Sequence, residues 1–113
     1  MSQITTHILD TALGSPAAGV AITLFRHVDG DWQEVGSDQT NSDGRAPALC
    51  PPDQVLEAGT YRIHFAISSY FEAIGCPVFY PWAEVVFNIG GDGQHYHIPL
   101  LLAPFGYSTY RGS

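Results

Sequence analysis

The sequence contains no lysine, and four arginines are its only permanently charged basic residues. Charged residues make up 13% of the 113 positions, whereas about 25% is usual in soluble proteins. Acidic residues outnumber arginines by 11 to 4, so the formal net charge is −7. Because binding to nucleic acid requires clustered Lys and Arg, this composition speaks against a nucleic-acid partner. A small domain with so little charge has either a merely polar surface or one that copies of the same chain cover.

Long apolar runs are also absent. No run approaches the roughly 18 residues of a membrane span, and the first residues show neither the charged nor the apolar segment of a signal peptide. We therefore expect a cytoplasmic protein without a membrane partner. Its two cysteines, Cys50 and Cys76, are then expected to be reduced thiols.

The scattering of turn residues predicts a single domain over residues 1–113, built mainly from short strands. Twelve glycines and eight prolines are spread along the chain, as expected when turns separate many strands. The predicted strands are 4–10, 20–27, 32–40, 61–67, 83–89, 95–102 and 106–111. Ser69 and Glu72 have the spacing of a capping box, and Gly75 suits a helix end, so one short helix is predicted there. The pattern indicates an all-β sandwich of about eight strands with one brief helix.

Histidine is frequent, with five residues, and His7 lies in the first predicted strand. Ile4 and Ile8 fit the core of the sandwich. The opposite face of the strand then presents Thr5, His7 and Leu9 to the outside. By itself this pattern favours a solvated histidine on the surface of a sheet.

His95 and His97 are two residues apart in a predicted strand and therefore lie on the same face. Three interpretations are open: two solvated histidines, acid–base catalysis near neutral pH, or a metal site. The spacing ranks them in that order, because two ligands are too few for zinc and a third, from His7, cannot be read from spacing. Pro99 lacks an N–H, so this strand is expected to contain an edge position or an irregularity there.

Arg45 directly follows the strong turn signal Asn-Ser-Asp-Gly at 41–44. Its guanidinium could hold a planar, anionic or carbonyl-rich ligand, although alone a solvated loop arginine is favoured. Residues 104–113 keep aromatic and strand-forming side chains almost to the last position, whereas chain ends usually fray into polar residues. This segment either completes a sheet or is ordered because it builds a site or an interface.

Six segments together form a recognisable set. They are 4–10 (ITTHILD), 41–45 (NSDGR), 69–75 (SYFEAIG), 83–87 (AEVVF), 95–102 (HYHIPLLL) and 110–113 (YRGS). With these segments the sequence resembles the transthyretin-like family and, within it, the branch of 5-hydroxyisourate hydrolases. The terminal Tyr-Arg-Gly-Ser is the most specific element, because the hormone-carrying transthyretins lack it.

The resemblance implies an eight-stranded transthyretin-like sandwich that assembles as a homotetramer, a dimer of dimers with a channel between the dimers. It implies hydrolysis of 5-hydroxyisourate to 2-oxo-4-hydroxy-4-carboxy-5-ureidoimidazoline in purine (urate) catabolism, with no metal or other cofactor. The implied catalytic residues are His7, Arg45 and His97. The implied substrate-binding residues are His7, Arg45, Tyr110 and Ser113.

In the implied mechanism, one of His7 and His97 acts as general base toward water and the other protonates the leaving nitrogen. Arg45 polarises the carbonyl or holds the substrate anion. His95 shares the face of His97 and acts at most by supporting it. Two alternatives stay open: a non-catalytic tetrameric carrier of small aromatic ligands, and a metal-binding sandwich that uses His95 and His97.

Overall fold

The computed structural model describes residues 2–112, which form two four-stranded sheets around one hydrophobic core. The strands are β1 (Ile4–Asp10), β2 (Ser15–Pro16), β3 (Ala21–Val28), β4 (Asp31–Gln39), β5 (Gly59–Ala66), β6 (Ala83–Ile89), β7 (Tyr96–Ala103) and β8 (Gly106–Thr109). Within these residues the single helix is α1 (Ser68–Ala73), and no helix is long and apolar enough to cross a membrane. The predicted all-β sandwich with one short helix is confirmed; the two-residue β2 is the strand that the pattern did not predict.

Alternate residues of β1, β3, β5, β6 and β7 supply the core, which lies between a sheet of order β2-β1-β7-β8 and a sheet of order β4-β3-β5-β6. In β1, Ile4 and Ile8 are fully buried. Thr5, His7 and Leu9 alternate with them and are partly exposed, as predicted. Burying one such apolar side chain stabilises the fold by about 1.5–3 kcal/mol. The inward-facing residues of β1 therefore hold its outward-facing residues in place.

β1 and β7 pair in parallel along the whole length of β1. Thr5 lies opposite His97, and His7 lies opposite Pro99. Parallel neighbours need a long connection, and here all the strands from β2 to β6 lie between them in the sequence. The ladder thus joins two distant segments on one outer face.

Pro99 lies inside β7, which pairs with β1 on one side and β8 on the other. The ladder with β8 stops at Leu100, opposite Thr109, and resumes in the same register as an isolated bridge between His97 and Gly112. Pro99 has no N–H to donate in this gap, and its carbonyl accepts the Thr109 hydroxyl at 2.7 Å. The irregularity predicted at Pro99 is confirmed, although β7 is a central strand rather than an edge strand.

The capping box predicted at Ser69 is wrong. The helix α1 begins at Ser68, its N-cap is Ile67, two residues before Ser69, and no side chain makes a capping bond. Ile67 is fully buried, so packing rather than a hydroxyl fixes the helix start. The predicted helix end is confirmed, because Gly75 has φ +75° and its N–H donates to the Glu72 carbonyl.

The buried carboxylate of Asp10 fixes the far end of β1. Its Oδ1 accepts the N–H groups of Ala12 and Leu13 at 3.0 Å each, and its Oδ2 accepts the Tyr70 hydroxyl at 2.6 Å. Burial, and then the hydrogen bond to Asp10, raise the pKa of Tyr70. Tyr70 therefore remains a protonated donor that ties α1 to β1.

The turn at 41–45 packs against β1 and places Arg45 beside His7. The Ile8 N–H donates to the Gly44 carbonyl at 2.8 Å, and an isolated bridge pairs His7 with Arg45. Gly44 has φ +75°, and a Cβ there would lie 2.4 Å from the Ile8 carbonyl oxygen. Glycine is thus required both by the backbone conformation and by the close approach.

We predict that Gly44→Ala lowers the free energy of unfolding by more than ~2 kcal/mol, because it adds a backbone collision to the cost of a positive φ. Urea denaturation measures the loss. Gly75→Ala is the matched control, since Gly75 has the same φ of +75° but open space around its Cβ position. Equal losses in the two variants would contradict the close approach of the turn to β1.

Candidate active site

A cleft of about 450 Å³ opens beside the paired ends of β1 and β7. Its lining residues are Thr5, Thr6, Arg45, Ala46, Pro47, His95 and His97. The cleft brings together two of the predicted catalytic residues, Arg45 and His97, from opposite halves of the sequence. The third, His7, is two residues from Thr5 on the same face of β1 and is bridged to Arg45.

The Thr5 hydroxyl lies between two histidine rings. Its Oγ1 is 2.9 Å from Nε2 of His95 and 2.9 Å from Nδ1 of His97. The two rings are stacked with their centres 6.4 Å apart. His97 is half-buried, whereas His95 is exposed. Because Nδ1 of His97 is bound to Thr5, Nε2 is the nitrogen of this ring that is left for a molecule in the cleft.

The pKa of His97 is lowered from its ordinary value of 6.5, and burial is the largest cause. The positive charge of Arg45 lowers it further, followed by the charges of His95 and His7. Both effects disfavour the protonated ring. His97 is therefore neutral at pH 7 and able to accept a proton.

Gly112 holds the backbone of the C-terminal segment against the His97 ring. Its N–H donates to the His97 carbonyl at 2.8 Å, and a Cβ at this position would lie 2.6 Å from Cδ2 of His97. The segment is anchored by Arg111, which donates to Oε1 of Gln94 at 2.8 Å and lies 4.7 Å from the centre of the Tyr96 ring. His97 is thus held by Thr5 on β1 and by a glycine that follows β8.

A model of the HIUase/Transthyretin family matches residues 4–112. The chain belongs to this family. A 5-hydroxyisourate hydrolase from Mus musculus is 46% identical over 114 residues, which cover 99% of this chain and 96% of the relative. Another, from Ralstonia nicotianae, is 43% identical over 117 residues that cover both chains completely. The family resemblance seen in the sequence segments is confirmed.

Two solved structures of HIUase/Transthyretin family proteins have the same fold as this chain. The 5-hydroxyisourate hydrolase of Klebsiella pneumoniae has a TM-score of 0.83 and is 38% identical, covering 99% of this chain and 100% of its own. Sea bream transthyretin in complex with thyroxine has a TM-score of 0.90 and is 34% identical, covering 98% of this chain and 95% of its own. The transthyretin-like sandwich is confirmed, and both a hydrolase and a thyroxine complex are built on it.

Of the predicted substrate-binding residues of this family member, Tyr110 lies outside the cleft and Ser113 is not among the described residues. Tyr110 is 57% exposed and lines a separate cleft of about 240 Å³ with residues of β6 and β7. Ser113 lies outside residues 2–112, which the structure describes. A single chain therefore brings together His7, Arg45 and His97 and leaves Tyr110 apart from them.

Thr5 is the residue of the cleft that the sequence reasoning missed. The two-residue period placed Thr5 on the outer face with His7, and that placement is confirmed. Its contact with His95 and His97, however, depends on the parallel pairing of β1 with β7. No local pattern encodes that pairing.

Within the described residues, the structure adds no third metal ligand to His95 and His97. Among residues 2–112, no three His, Cys, Asp or Glu side chains are grouped so that they could hold a metal ion. His95 and His97 instead direct one ring nitrogen each at the Thr5 hydroxyl. This arrangement favours acid–base chemistry at His97.

We predict that the His97 ring titrates below pH 6.5 and that Arg45→Gln raises its pKa toward that value, because the substitution removes a nearby positive charge. NMR of the imidazole resonances against pH measures the midpoint. Arg26→Gln is the matched control, since it removes the same charge from β3, where Arg26 pairs with Glu57. An unchanged midpoint in Arg45→Gln would rule out the coupling.

Proposed function

We propose that this chain is a 5-hydroxyisourate hydrolase that opens the six-membered ring of its substrate at an amide bond in purine catabolism, in the cytoplasm. The product is 2-oxo-4-hydroxy-4-carboxy-5-ureidoimidazoline. The observation that carries the proposal is a neutral, half-buried His97 beside Arg45, in a chain 46% identical to the mouse protein of that name. The site uses side chains alone, with no metal or other cofactor.

Water is the nucleophile and needs a general base. His97 fits this role because its pKa is lowered and its Nε2 is left for the cleft. The imidazole takes a proton from water while the water oxygen bonds to the ring carbonyl carbon. The C–N bond then breaks, and the leaving nitrogen takes a proton. His7, on the same outer face and bridged to Arg45, supplies that proton.

Arg45 stabilises the negative charge that develops on the carbonyl oxygen. Its guanidinium is permanently charged and presents several donors in a fixed plane. The turn at 41–45 holds its backbone against β1, so the root of this side chain is fixed at the cleft before the substrate arrives. Such preorganised charge is often the largest contribution to the rate.

Tyr110 and Ser113 stay predicted substrate-binding residues that position the ring. Tyr110 lines a second cleft together with Tyr96 and Ile98, which flank His97 in the sequence of β7. In an assembly of several chains, an exposed tyrosine at this place is available to a substrate held between subunits.

We predict that His7→Ala, Arg45→Ala and His97→Ala each lower kcat/KM by about 10²- to 10⁴-fold, the usual effect of losing an acid, a base or a charge clamp. The assay generates 5-hydroxyisourate in place with urate oxidase and follows its ultraviolet decay. His27→Ala, an exposed histidine on β3, is the control and should keep wild-type activity. Wild-type turnover in the three site variants would overturn the assignment.

A second candidate function is a carrier of small aromatic ligands. It is favoured by the likeness to sea bream transthyretin in complex with thyroxine, whose TM-score of 0.90 exceeds the 0.83 of the hydrolase structure. Identity favours the hydrolase instead, at 38% against 34%. A protein that bound an aromatic ligand and left 5-hydroxyisourate to decay at its spontaneous rate would be the carrier.

The functional unit is a homotetramer, a dimer of dimers. Edge strands usually carry charge or proline that prevents pairing with other chains, and the edge strand β4 exposes Asp31 and Glu34. The edge strands β6 and β8 instead expose Val86 and Tyr107, and Tyr110 follows them with more than half of its surface exposed. This apolar edge accounts for a chain with so little surface charge.

We predict that light scattering gives about four times the chain mass of 12.2 kDa. Val86→Lys should lower the mass, because it places a charge on the edge that pairing would bury. Gln33→Lys on the exposed face of β4 is the control and should keep the wild-type mass. A monodisperse wild-type monomer at micromolar concentration would contradict the assembly.

A further inference from the structure

The Thr5 hydroxyl is within hydrogen-bond distance of both histidines at the cleft, at 2.9 Å from each. A hydroxyl has one proton to donate and two lone pairs that accept. Thr5 can therefore donate to one ring only, and the other ring must donate its N–H to Thr5. The tautomers of His95 and His97 are consequently linked through this one hydroxyl.

Two neutral arrangements satisfy the three groups. In the first, Nδ1–H of His97 donates to Thr5, Thr5 donates to Nε2 of His95, and Nε2 of His97 is free to act as a base. In the second, Nε2–H of His95 donates to Thr5, Thr5 donates to Nδ1 of His97, and Nε2 of His97 carries a proton. The first arrangement is the general-base form of His97, and the second is a proton-donating form.

The two rings differ in exposure, and this difference favours movement of a proton from His97 to His95. His97 is half-buried among positive charges, so a proton on it is disfavoured. His95 is exposed and lines an outer cleft together with Asp53. The charged or titratable groups around the pair are Arg45 and His7 on the side of His97 and Asp53 on the side of His95.

We propose that Thr5 is a positioning residue that selects the tautomer of His97 and relays protons between His97 and the exposed His95; this rests on the proposed hydrolase function. After Nε2 of His97 takes a proton from water, its Nδ1 proton passes to Oγ1 of Thr5. The Thr5 proton passes at the same time to Nε2 of His95. His95 then releases its Nδ1 proton to solvent, which leaves the pair in the second arrangement, and the carboxylic acid of the product returns a proton to His7. Once the product has left, His97 loses its Nε2 proton to solvent while a proton taken up by His95 passes back through Thr5 to Nδ1 of His97. The first arrangement is then restored, and one proton per turnover has been released.

The proposed reaction needs such a route. Hydrolysis of the ring amide yields a carboxylate and a ureide nitrogen that is not basic at neutral pH. One proton per turnover must therefore leave a cleft in which His7 and Arg45 already disfavour positive charge. The Thr5 bridge connects the base to an exposed ring without passing the substrate.

The test compares Thr5→Val, which keeps the shape and removes the hydroxyl, with Thr5→Ser, which restores it. We expect Thr5→Val and His95→Gln to lower kcat by about 10- to 100-fold, the size of the loss when the hydrogen-bond partner that orients a metal-bound histidine is removed. Thr5→Ser should be close to wild type. Thr60→Val on β5, which also loses a hydroxyl hydrogen bond, is the matched control and should keep wild-type activity.

Two further readouts separate a relay from a structural effect. The double variant Thr5→Val/His95→Gln should be no slower than either single variant, because both interrupt one path. Added imidazole buffer should restore part of the lost rate by accepting the proton directly. Losses that multiply in the double variant, or a Thr5→Ser variant as slow as Thr5→Val, would overturn the relay.

The ¹⁵N shifts of the His97 ring test the proposal without any turnover. We expect Thr5→Val to change the tautomer of His97 and Thr5→Ser to keep it. An unchanged tautomer in Thr5→Val would overturn the role of Thr5 even in an active enzyme. A wild-type protein without hydrolase activity would overturn the proposed function instead, and the tautomer measurement would still decide whether Thr5 links the two rings.

Discussion

The parallel ladder between β1 and β7 is the interaction on which the rest of the site depends. It places Thr5 opposite His97 although the two residues lie near opposite ends of the sequence. A slip of one residue would turn every side chain of β1 to the other face, and it would expose Ile4 and Ile8, which are fully buried. Two such side chains contribute about 3–6 kcal/mol. The hydrophobic core therefore fixes the register, and the register fixes how Thr5 and His97 meet on the outward face.

Local sequence patterns predicted the β-sandwich, the bounds of β1 and β6, and the outward placement of His7. These features follow from a two-residue period and from turn residues, which act over short distances. The pairing partner of β1 and its direction depend on the whole fold, so the contact of Thr5 with His97 was not predictable. The capping box failed for a related reason: burial of Ile67 outweighed the hydroxyl of Ser69 at the helix start.

The charge that acts on the cleft is opposite in sign to the net charge of the chain. The net charge is −7, yet the charge that lowers the pKa of His97 most is the positive charge of Arg45, with smaller contributions from His95 and His7. This grouping keeps His97 neutral and costs stability in acid. Since the pKa of His97 is lowered in the folded state, the unfolded chain binds a proton more readily, and stability is lost as pH falls from 6.5 through the folded pKa. The environment that keeps His97 able to accept a proton therefore lowers the stability of the fold at acidic pH.

This chain resembles both a hydrolase and a transthyretin because the inward and outward residues of its strands have separate roles. Inward residues such as Ile4 and Ile8 determine the sandwich, and a hydrolase and a thyroxine complex both have the fold of this chain. The outward residues of β1 and β7 contribute little to the core and are free to differ between functions. The residues proposed to carry the chemistry of this chain, Thr5, His7 and His97, therefore lie where substitution leaves the sandwich intact.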